Sequence, residues 1–522
     1  MKQKSKQSAR TLVIRLLCVL LCVLVTAGVL AGCRKKPDNG KPSGTTAAPA
    51  NDSDTASDTE PADGRDDLDD SYHFDRDFRI LSRKITEKFT ASEFDSPSSI
   101  GSDTVANAVF SRNALVEKRA DVTIKVIPLN GDWQAAKDGD TRGGNKEFEG
   151  TVRNDALAGK SEYDLIATHS AYLANLAVEG LGMDLTQLED INLTKRWWNE
   201  AYYNECNFKG SIYMMVGDLA HTLYGFLEVV FFNEDLANEY MLGDLYDVAL
   251  DGKWTYALLK EYAAKVAVDP DATEDARKYS LLINCHAQRA FANALEANYL
   301  VKQEDGTRLY PDSLNETAEK RLSDFIKFVR DGRDVTGNIH SPKSWSDEQS
   351  TQNKIFYEGR ALFYTQTLDA AVTIKENMSD SYGVLPFPKW DDTQIEYHTS
   401  TKDSLTSVMI PKKVADPKST GVVTELLAMY GNQIVTPAYY KTVLTYQSFN
   451  NAKCIEMLEM IRVSANISFQ QVFTNCLGNP NSLVSEAIRF GTPREISAMY
   501  ASDHTKWDIS KLYKDLEAIK KK

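Results

Sequence analysis

Polar side chains that could hold a ligand follow one apolar run of the chain directly. Tyr364, Thr365, Gln366 and Asp369 come at the end of the run 361–364 and combine hydroxyl, amide and carboxyl groups with an aromatic ring. Such groups suit a ligand that presents hydroxyls and flat C–H faces, as a sugar does. The chemistry expected of this cluster is noncovalent binding, and the alternative is that the same residues belong to the core.

Aromatic residues stand near the ends of other predicted elements, and each is open to the same two interpretations, a ligand platform or a core position. They are Trp197, Trp198, Tyr202, Tyr203, Tyr224, Phe226, Phe363, Trp390, Tyr439 and Tyr440.

Motifs that mark common enzyme classes are absent from the 522 residues. The chain has no GxSxG, HExxH, phosphate-loop or GxGxxG pattern. Its seven histidines are scattered, and none stands at zinc-ligand spacing with a cysteine pair. We therefore predict no catalytic residue, no metal and no cofactor. A carboxylate pair for glycoside hydrolysis stays open, because its two members can lie far apart in sequence.

Alternating apolar elements predict the framework that must position these residues. Strands are predicted at 78–81, 122–127 and 163–167. Stretches with helical spacing lie between the first and second strands, between the second and third, and after the third. This alternation favours an α/β fold with a mostly parallel sheet, whose ligands bind beyond the carboxyl ends of the strands. Further strands are predicted at 229–232, 361–364, 382–386 and 406–411, and a hairpin turn at 305–306.

Length, charge and cysteine content limit the class of protein. Roughly 450 residues follow the N-terminal segments, more than a single core accommodates, so two domains are expected. The net charge of −14 argues against nucleic acid as a partner. Cys206, Cys285, Cys454 and Cys476 form no CxxC pair. We expect free buried thiols, with a Cys454–Cys476 disulfide as the alternative.

The first 33 residues have the layout of a secretory signal. Basic residues precede the apolar run 16–30, and the sequence LAGC at 30–33 closes it. This resembles the lipobox of bacterial lipoproteins, in which the cysteine receives the lipid. The run is short for a bilayer span, which needs roughly 20 residues, although a plain N-terminal anchor is the alternative. We expect a signal peptide at 1–32 and lipid attachment at Cys33, which holds the protein on the extracellular face of the cell membrane.

Residues 33–71 are predicted to form a disordered, lipid-anchored tether. The segment is acidic and rich in small residues, has no aromatic residue, and contains Leu68 as its one large aliphatic residue. It cannot bury enough apolar surface to offset the entropy of its chain, and its like charges extend it further.

Short segments of the body follow one another in a recognisable order. They are YDLI at 163–166, GLGMDLT at 180–186, FKGSIY at 208–213, FFNEDL at 231–236, GKWT at 252–255, FYEGRALF at 356–363 and YGVLPFP at 382–388. In this order they resemble the family 1 extracellular solute-binding proteins, the ligand-capturing lipoproteins of ABC importers that mostly carry carbohydrates. The tryptophan usual after the GRALF strand is missing here.

The resemblance implies a periplasmic-binding-protein-like type II fold, with two α/β lobes joined by a hinge and a ligand cleft between them. The first lobe would use 72–224 with 397–450, and the second 225–396 with 451–522. The expected ligand-binding residues are Thr168, His169, Ser170, Tyr172, Tyr224, Phe226, Glu228, Tyr364, Thr365, Gln366, Asp369, Asn481 and Ser482.

The function that follows is capture of a small-molecule solute by a monomeric, non-enzymatic protein. We expect the solute to be a carbohydrate such as an oligosaccharide, delivered by hinge closure to the membrane subunits of an ABC permease. Peptides, polyamines and other solutes remain open as ligands. Two other functions stay open as well: a sensor or adhesion lipoprotein of the same fold, and a lipid-anchored glycan hydrolase.

Overall fold

The computed structural model of the chain describes residues 66–84, 93–96, 103–131, 143–266, 271–273, 275–332, 345–440, 452–489 and 495–521. The expected signal peptide, Cys33 and the tether up to residue 65 lie outside these residues. Among the helices of the described residues, none is long and apolar enough to cross a bilayer. Residues Glu60–Lys522 group into one compact unit.

Two four-stranded sheets organise this unit. The strands are β1 (Arg76–Lys84), β2 (Val122–Asn130), β3 (Leu165–His169), β4 (Glu228–Asn233), β5 (Tyr279–Leu282), β6 (Val301–Lys302), β7 (Arg308–Leu309), β8 (Ala361–Thr367), β9 (Tyr382–Leu385), β10 (Thr399–Ser400), β11 (Thr406–Met409) and β12 (Ala465–Asn466). The first sheet has the order β11-β3-β1-β2 and the second β5-β8-β4-β9.

The first sheet confirms the prediction of parallel strands. β1 pairs in parallel with β2 and β3, and only β11 runs antiparallel, beside β3. Ser82 is level with Ala167 of β3, so Arg83 near the end of β1 stands level with Thr168. The carboxyl ends of these strands therefore share one edge of the sheet.

The second sheet is mixed rather than mostly parallel. β5 and β8 are parallel, whereas β4 runs antiparallel to both β8 and β9. This register places Glu228, the first residue of β4, opposite Thr367 at the end of β8. The start of one strand and the end of another therefore meet at the same edge.

Helices cover both sheets. They are α1 (Thr104–Ala120), α2 (Gly143–Leu157), α3 (Ser170–Val178), α4 (Glu200–Cys206), α5 (Thr222–Gly225), α6 (Glu234–Glu239), α7 (Leu245–Leu250), α8 (Tyr256–Lys265), α9 (Cys285–Ala294), α10 (Glu316–Asp331), α11 (Trp345–Tyr357), α12 (Ala370–Asn377), α13 (Pro417–Tyr430), α14 (Ala452–Val463), α15 (Phe469–Val472), α16 (Ser482–Arg489), α17 (Ile496–Asp503) and α18 (Ile509–Lys520).

Capping side chains start several of these helices directly after a strand. Asn233 ends β4, and its side-chain oxygen accepts a hydrogen bond from the amide of Leu236 at 2.9 Å. Asn284 follows β5 and caps α9 in the same way through the amide of Ala287. A side-chain cap satisfies one of the backbone N–H groups that the first turn of a helix leaves unpaired. The strand-to-helix turns at the sheet edges are therefore fixed locally.

The chain crosses from the first sheet to the second between β3 and β4, and returns between β9 and β11. Backbone hydrogen bonds join the first crossing segment to the second crossing segment and to the end of β8. The amide of Lys402 donates to the carbonyl of Phe226, and the amide of Leu368 donates to that of Leu227, both at 2.9 Å. Leu227 also forms an isolated bridge with Thr401. Glu228 therefore starts its strand at the junction of the two halves of the unit.

The end of the expected tether packs against the body. Asp66 accepts hydrogen bonds from both terminal nitrogens of Arg119, at 2.6 and 2.9 Å, and Asp67 accepts from Lys195 at 2.8 Å. Leu68 packs on the core of the first sheet. Residues 66–71 thus contact the folded unit, because their acidic groups find basic partners and their one aliphatic side chain finds an apolar surface.

Cys206, Cys454 and Cys476 form no disulfide, as expected, and the side chain of Cys285 lies outside the described part of the chain. Cys206 and Cys454 are buried, and Cys476 is half-buried. The hairpin expected at 305–306 is also confirmed, since β6 and β7 pair antiparallel around it.

Gly383 in β9 tests the packing of the second sheet. A Cβ atom at this position would lie 2.2 Å from Cε1 of Phe232 and 2.5 Å from the hydroxyl of Tyr246. We expect Gly383→Ala to lower the free energy of unfolding by about 1–3 kcal/mol, the usual cost of overpacking. Urea unfolding measures this change. Gly150→Ala is the control, because it adds a methyl group within α2 where no atom lies within 4 Å; equal effects of the two variants would contradict the described packing.

Candidate functional site

A cavity of about 270 Å³ lies beside the second crossing segment. Its walls come from α9, from residues 400–403, from residues 466–471 and from the start of α16, and Glu205 on α4 adds a group from the other half. Its volume is near the lower end of the roughly 300–1,000 Å³ typical of small-molecule sites. The cavity therefore suits a compact ligand.

Charged groups of both signs line one end of this cavity. Arg289 on α9 approaches Asp403 at 3.4 Å and the Nδ1 atom of His286 at 3.0 Å. Burial, with Arg289 and Lys402 nearby, lowers the pKa of His286 to about 3, so its imidazole is neutral near pH 7. Burial alone would raise the pKa of Asp403, but the basic neighbours outweigh it and the net direction is downward. Asp403 is therefore ionised.

Glu228 is buried at the same end without a partner. Its side chain is 1% exposed, and neither carboxyl oxygen has a hydrogen-bond partner. Burial raises its pKa to about 7, against the opposing influence of Lys402 and Arg289. A buried polar group normally finds a partner, and leaving it without one costs about 1–3 kcal/mol. A carboxyl group in the wall of a cavity under these conditions is suited to hydrogen-bond a ligand.

Glu205 on α4 contacts β7 and the start of α15 in the wall of the cavity. It accepts hydrogen bonds from Arg308 of β7 at 2.7 Å and from the backbone N–H of Phe469 at 2.8 Å. Its helix is held to the first sheet by Tyr202, whose hydroxyl lies 2.8 Å from the Ser407 hydroxyl. Glu205 therefore links a helix attached to the first sheet with β7 and α15.

Four of the expected site residues lie at the carboxyl end of β3. The hydroxyl of Thr168 and Nδ1 of His169 are buried without a partner. Burial lowers the pKa of His169 to about 4, with Asp403 opposing the shift, so this edge adjoins the charged end of the cavity. The hydroxyl of Ser170 bonds Tyr202 at 2.9 Å, and Tyr172 packs edge-on against His169. None of the four lines the cavity itself.

The cluster after the GRALF strand is used inside the second sheet. The amide of Gln366 donates to the hydroxyl of Tyr364 at 3.0 Å, and that hydroxyl donates in turn to Asn353. Thr365 donates to the carbonyl of Leu282 at 3.0 Å. These three side chains are buried within the second half of the unit, and none of them lines the cavity.

The remaining expected residues are divided between the crossing and the cavity. Tyr224 donates to Asp218, and Phe226 lies under the ammonium group of Lys402 at 5.4 Å. The backbone amide of Asp369 donates to Gly225 at 3.0 Å. The structure brings Glu228 and Asn481 to the cavity wall, whereas Ser482 turns back to the carbonyl of Asn479.

Sequence reasoning missed the most highly charged part of the cavity. His286 and Arg289 follow β5 and the cap residue Asn284, which is the same strand-end position that singled out other candidates. Lys402 and Asp403 come from the second crossing, where no strand or helix pattern stands out. No strand was predicted at β5, and predicting one from the apolar run 281–283 would have placed the first pair after a strand end.

The pH dependence of stability tests the state of Glu228. Its folded pKa of about 7 lies above its ordinary value near 4.3, so its contribution to stability is full below pH 4 and is lost as the pH rises through 7. In the ligand-free protein, Glu228→Gln should become more stable relative to wild type by about 2–3 kcal/mol between pH 5 and pH 8, at 1.36 kcal/mol per pKa unit. Urea unfolding at both pH values measures this, and an unchanged difference would show that the carboxyl group is solvated.

Solved structures of similar shape include proteins solved with bound sugars or other solutes, and they have little sequence in common with this chain. The GacH receptor of Streptomyces glaucescens, solved unliganded and with acarbose, has a TM-score of 0.51 at 13% identity, covering 85% of this chain and all of its own. The galacto-N-biose/lacto-N-biose I-binding protein of Bifidobacterium longum gives 0.51 at 14%, over 86% and 99% of the two chains. UgpB of Mycobacterium tuberculosis, solved with glycerophosphocholine, gives 0.51 at 12%, over 85% and 98%.

These likenesses establish the fold: two α/β lobes of the type II periplasmic-binding-protein kind. No curated protein sequence matches the chain. The family model for bacterial extracellular solute-binding proteins matches residues 106–432, more than half of the chain. Members of this family bind solutes and are not enzymes. The chain therefore belongs to the bacterial extracellular solute-binding proteins.

Proposed function

We propose that this protein captures a carbohydrate outside the cell and delivers it to an ABC importer by closing its hinge. The observation that carries the proposal is Glu228, which lines the cavity and whose buried carboxyl group has no partner at the junction of the two halves. A binding protein uses such groups because a ligand supplies their missing hydrogen bonds only when it is bound.

The carbohydrate part of the proposal is supported by the relatives. GacH was solved with acarbose and the Bifidobacterium longum protein with lacto-N-biose, both of them sugars or sugar analogues. UgpB with glycerophosphocholine is the counterexample of a charged, polyol-derived solute. We assign ligand contact to Glu228 and Asn481. The edge of β3, Thr168 to Ser170, does not line the cavity, and we propose that it contacts the ligand when the protein closes.

The anchoring part rests on the sequence. A signal peptide at 1–32 and a lipidated Cys33 would hold the protein on the extracellular face of the membrane, near the permease subunits that receive the solute. The lobes would comprise 72–224 with 397–450 and 225–396 with 451–522.

Hinge closure follows from where the contacts lie. A ligand that touches both halves gains its full set of contacts only when they are closed, so it shifts the equilibrium toward that state. Glu205 already bridges the halves through Arg308 and Phe469. Closure would then give the permease a surface that the open form lacks.

A panel of oligosaccharides tests solute capture directly. We expect at least one to raise the melting temperature of the domain from residue 66 onward and to compact it in small-angle scattering; at 100 times the dissociation constant, ligand stabilises by about 2.7 kcal/mol. Glu228→Ala should lose this effect and Glu304→Ala, an exposed glutamate of the β6–β7 turn, should keep it. Absence of both stabilisation and compaction across the panel would refute sugar capture.

The bridge at Glu205 gives a second test, which needs no ligand. Glu205→Ala removes the acceptor for Arg308 and for the amide of Phe469, so the ligand-free protein should populate the open form more. Small-angle scattering should then report a larger radius of gyration than for wild type, with Glu304→Ala again as the control. A radius equal to that of wild type would mean that this bridge does not hold the halves together.

A further inference from the structure

The cavity is basic although the chain is acidic. Four basic side chains line it, against three carboxyl groups, in a chain whose net charge is −14. The basic residues are Arg289, Lys302, Lys402 and Arg308, and the acidic ones are Glu205, Glu228 and Asp403. When Glu228 is protonated, four positive groups stand against two negative ones, and an excess of positive charge in a concave site attracts anions.

Ion pairing leaves the end near Glu228 rich in donors. Glu205 is matched by Arg308 at 2.7 Å, and Asp403 faces Arg289 at 3.4 Å. Arg289 also contacts Nδ1 of His286, and because a guanidinium can only donate, this nitrogen must accept. The neutral imidazole of His286 then carries its proton on Nε2, which makes it a further donor.

Aromatic stacking cannot replace these donors. Of the residues that line the cavity, Tyr299 and Phe469 are aromatic. The guanidinium of Arg308 lies 4.6 Å from the centre of the Phe469 ring, and Phe473 packs against the same residue at 4.7 Å. Tyr299 packs against Tyr310 and other rings of its own half. Recognition in this cavity must therefore depend on charge and hydrogen bonds.

We propose that the captured solute carries an oxyanion, a carboxylate or a phosphate on a compact sugar or polyol, which binds against His286, Arg289 and Lys402. This inference rests on the proposed function and specifies its ligand. Cationic solutes such as polyamines are disfavoured, because Arg289 and Lys402 stand on the same side of the cavity as Glu228.

Glu228 makes this capture dependent on pH. The basic groups of Lys402 and Arg289 lie near Glu228 and favour its charged form. The carboxyl groups of Asp369 and Asp403 also lie near it and disfavour that form. His286 and His169 adjoin Asp403 and are neutral near pH 7. A bound oxyanion adds negative charge, so Glu228 takes up a proton and donates it in a hydrogen bond. Affinity should therefore fall as the pH rises above about 7, by up to about tenfold per pH unit.

Matched probes test the charge of the ligand. Thermal shift and calorimetry at constant ionic strength, at pH 6 and pH 8, compare two sets of probes. One set is glucose, glucuronate, glucose 6-phosphate and glucosamine, and the other is galactose with the corresponding three derivatives. At pH 6 we expect an anionic derivative to bind more tightly than its neutral parent and its amine. The comparison between pH 6 and pH 8 is made with the uronates, because their charge is constant over this range whereas a phosphate loses its second proton near pH 6, and we expect tighter binding at pH 6. The carboxylate and phosphate arms decide which oxyanion fits.

Variants tie the effect to the cavity. Arg289→Gln should lower the affinity for the anionic probe by about 30-fold, the lower range for removing one partner of a buried charge pair. Lys402→Gln is a second variant with the same expected effect. A melting transition at pH 7 without ligand shows that each variant folds. Lys320→Gln on the exposed face of α10 makes the same charge change outside the cavity and should bind like wild type. Glu228→Gln should lose the difference between pH 6 and pH 8.

Tighter binding of a neutral parent, or no binding by any anionic probe, would overturn the inference. If neutral oligosaccharides still stabilise and compact the protein in that case, solute capture stands and only the charge assignment fails. If neither anionic nor neutral solutes act, both proposals fail.

Discussion

The carboxyl group of Glu228 is buried at the junction of the two sheets, and the rest of the site is arranged around it. Removing a carboxyl group from water without giving it a partner is costly, so the surroundings must supply compensation. Lys402 and Arg289 supply part of it through charge, and burial keeps the group partly protonated. The remaining part is a hydrogen bond that the folded chain does not make. A ligand in the adjoining cavity can make it.

Register and crossing geometry explain why this group stands where it does. β4 begins directly after the crossing segment, whose backbone is bonded to the second crossing at Lys402 and to the end of β8 at Leu368. The antiparallel pairing of β4 with β8 brings a strand start to an edge otherwise formed by strand ends. The closure proposed above would therefore act on the residues beside Glu228.

Much of the framework could be predicted from sequence because it depends on local patterns. Apolar runs located β1 to β3, and the Asp-Gly turn located the β6–β7 hairpin. The site was harder to predict, because a polar residue at a strand end can serve either a ligand or the sheet. Gln366 and Tyr364 bond to each other, whereas Arg289, on a helix after β5, reaches the cavity. That choice depends on tertiary contacts, as does the docking of Asp66 on Arg119.

A crystal structure of the domain with a bound solute is the most direct test of the central claim. The account predicts that the solute lies in the cavity beside α9, with one of its polar atoms within about 3.2 Å of the Glu228 carboxyl group and with contacts to residues of both halves. A solute bound to one half alone, with Glu228 still lacking a hydrogen-bond partner, would contradict the account.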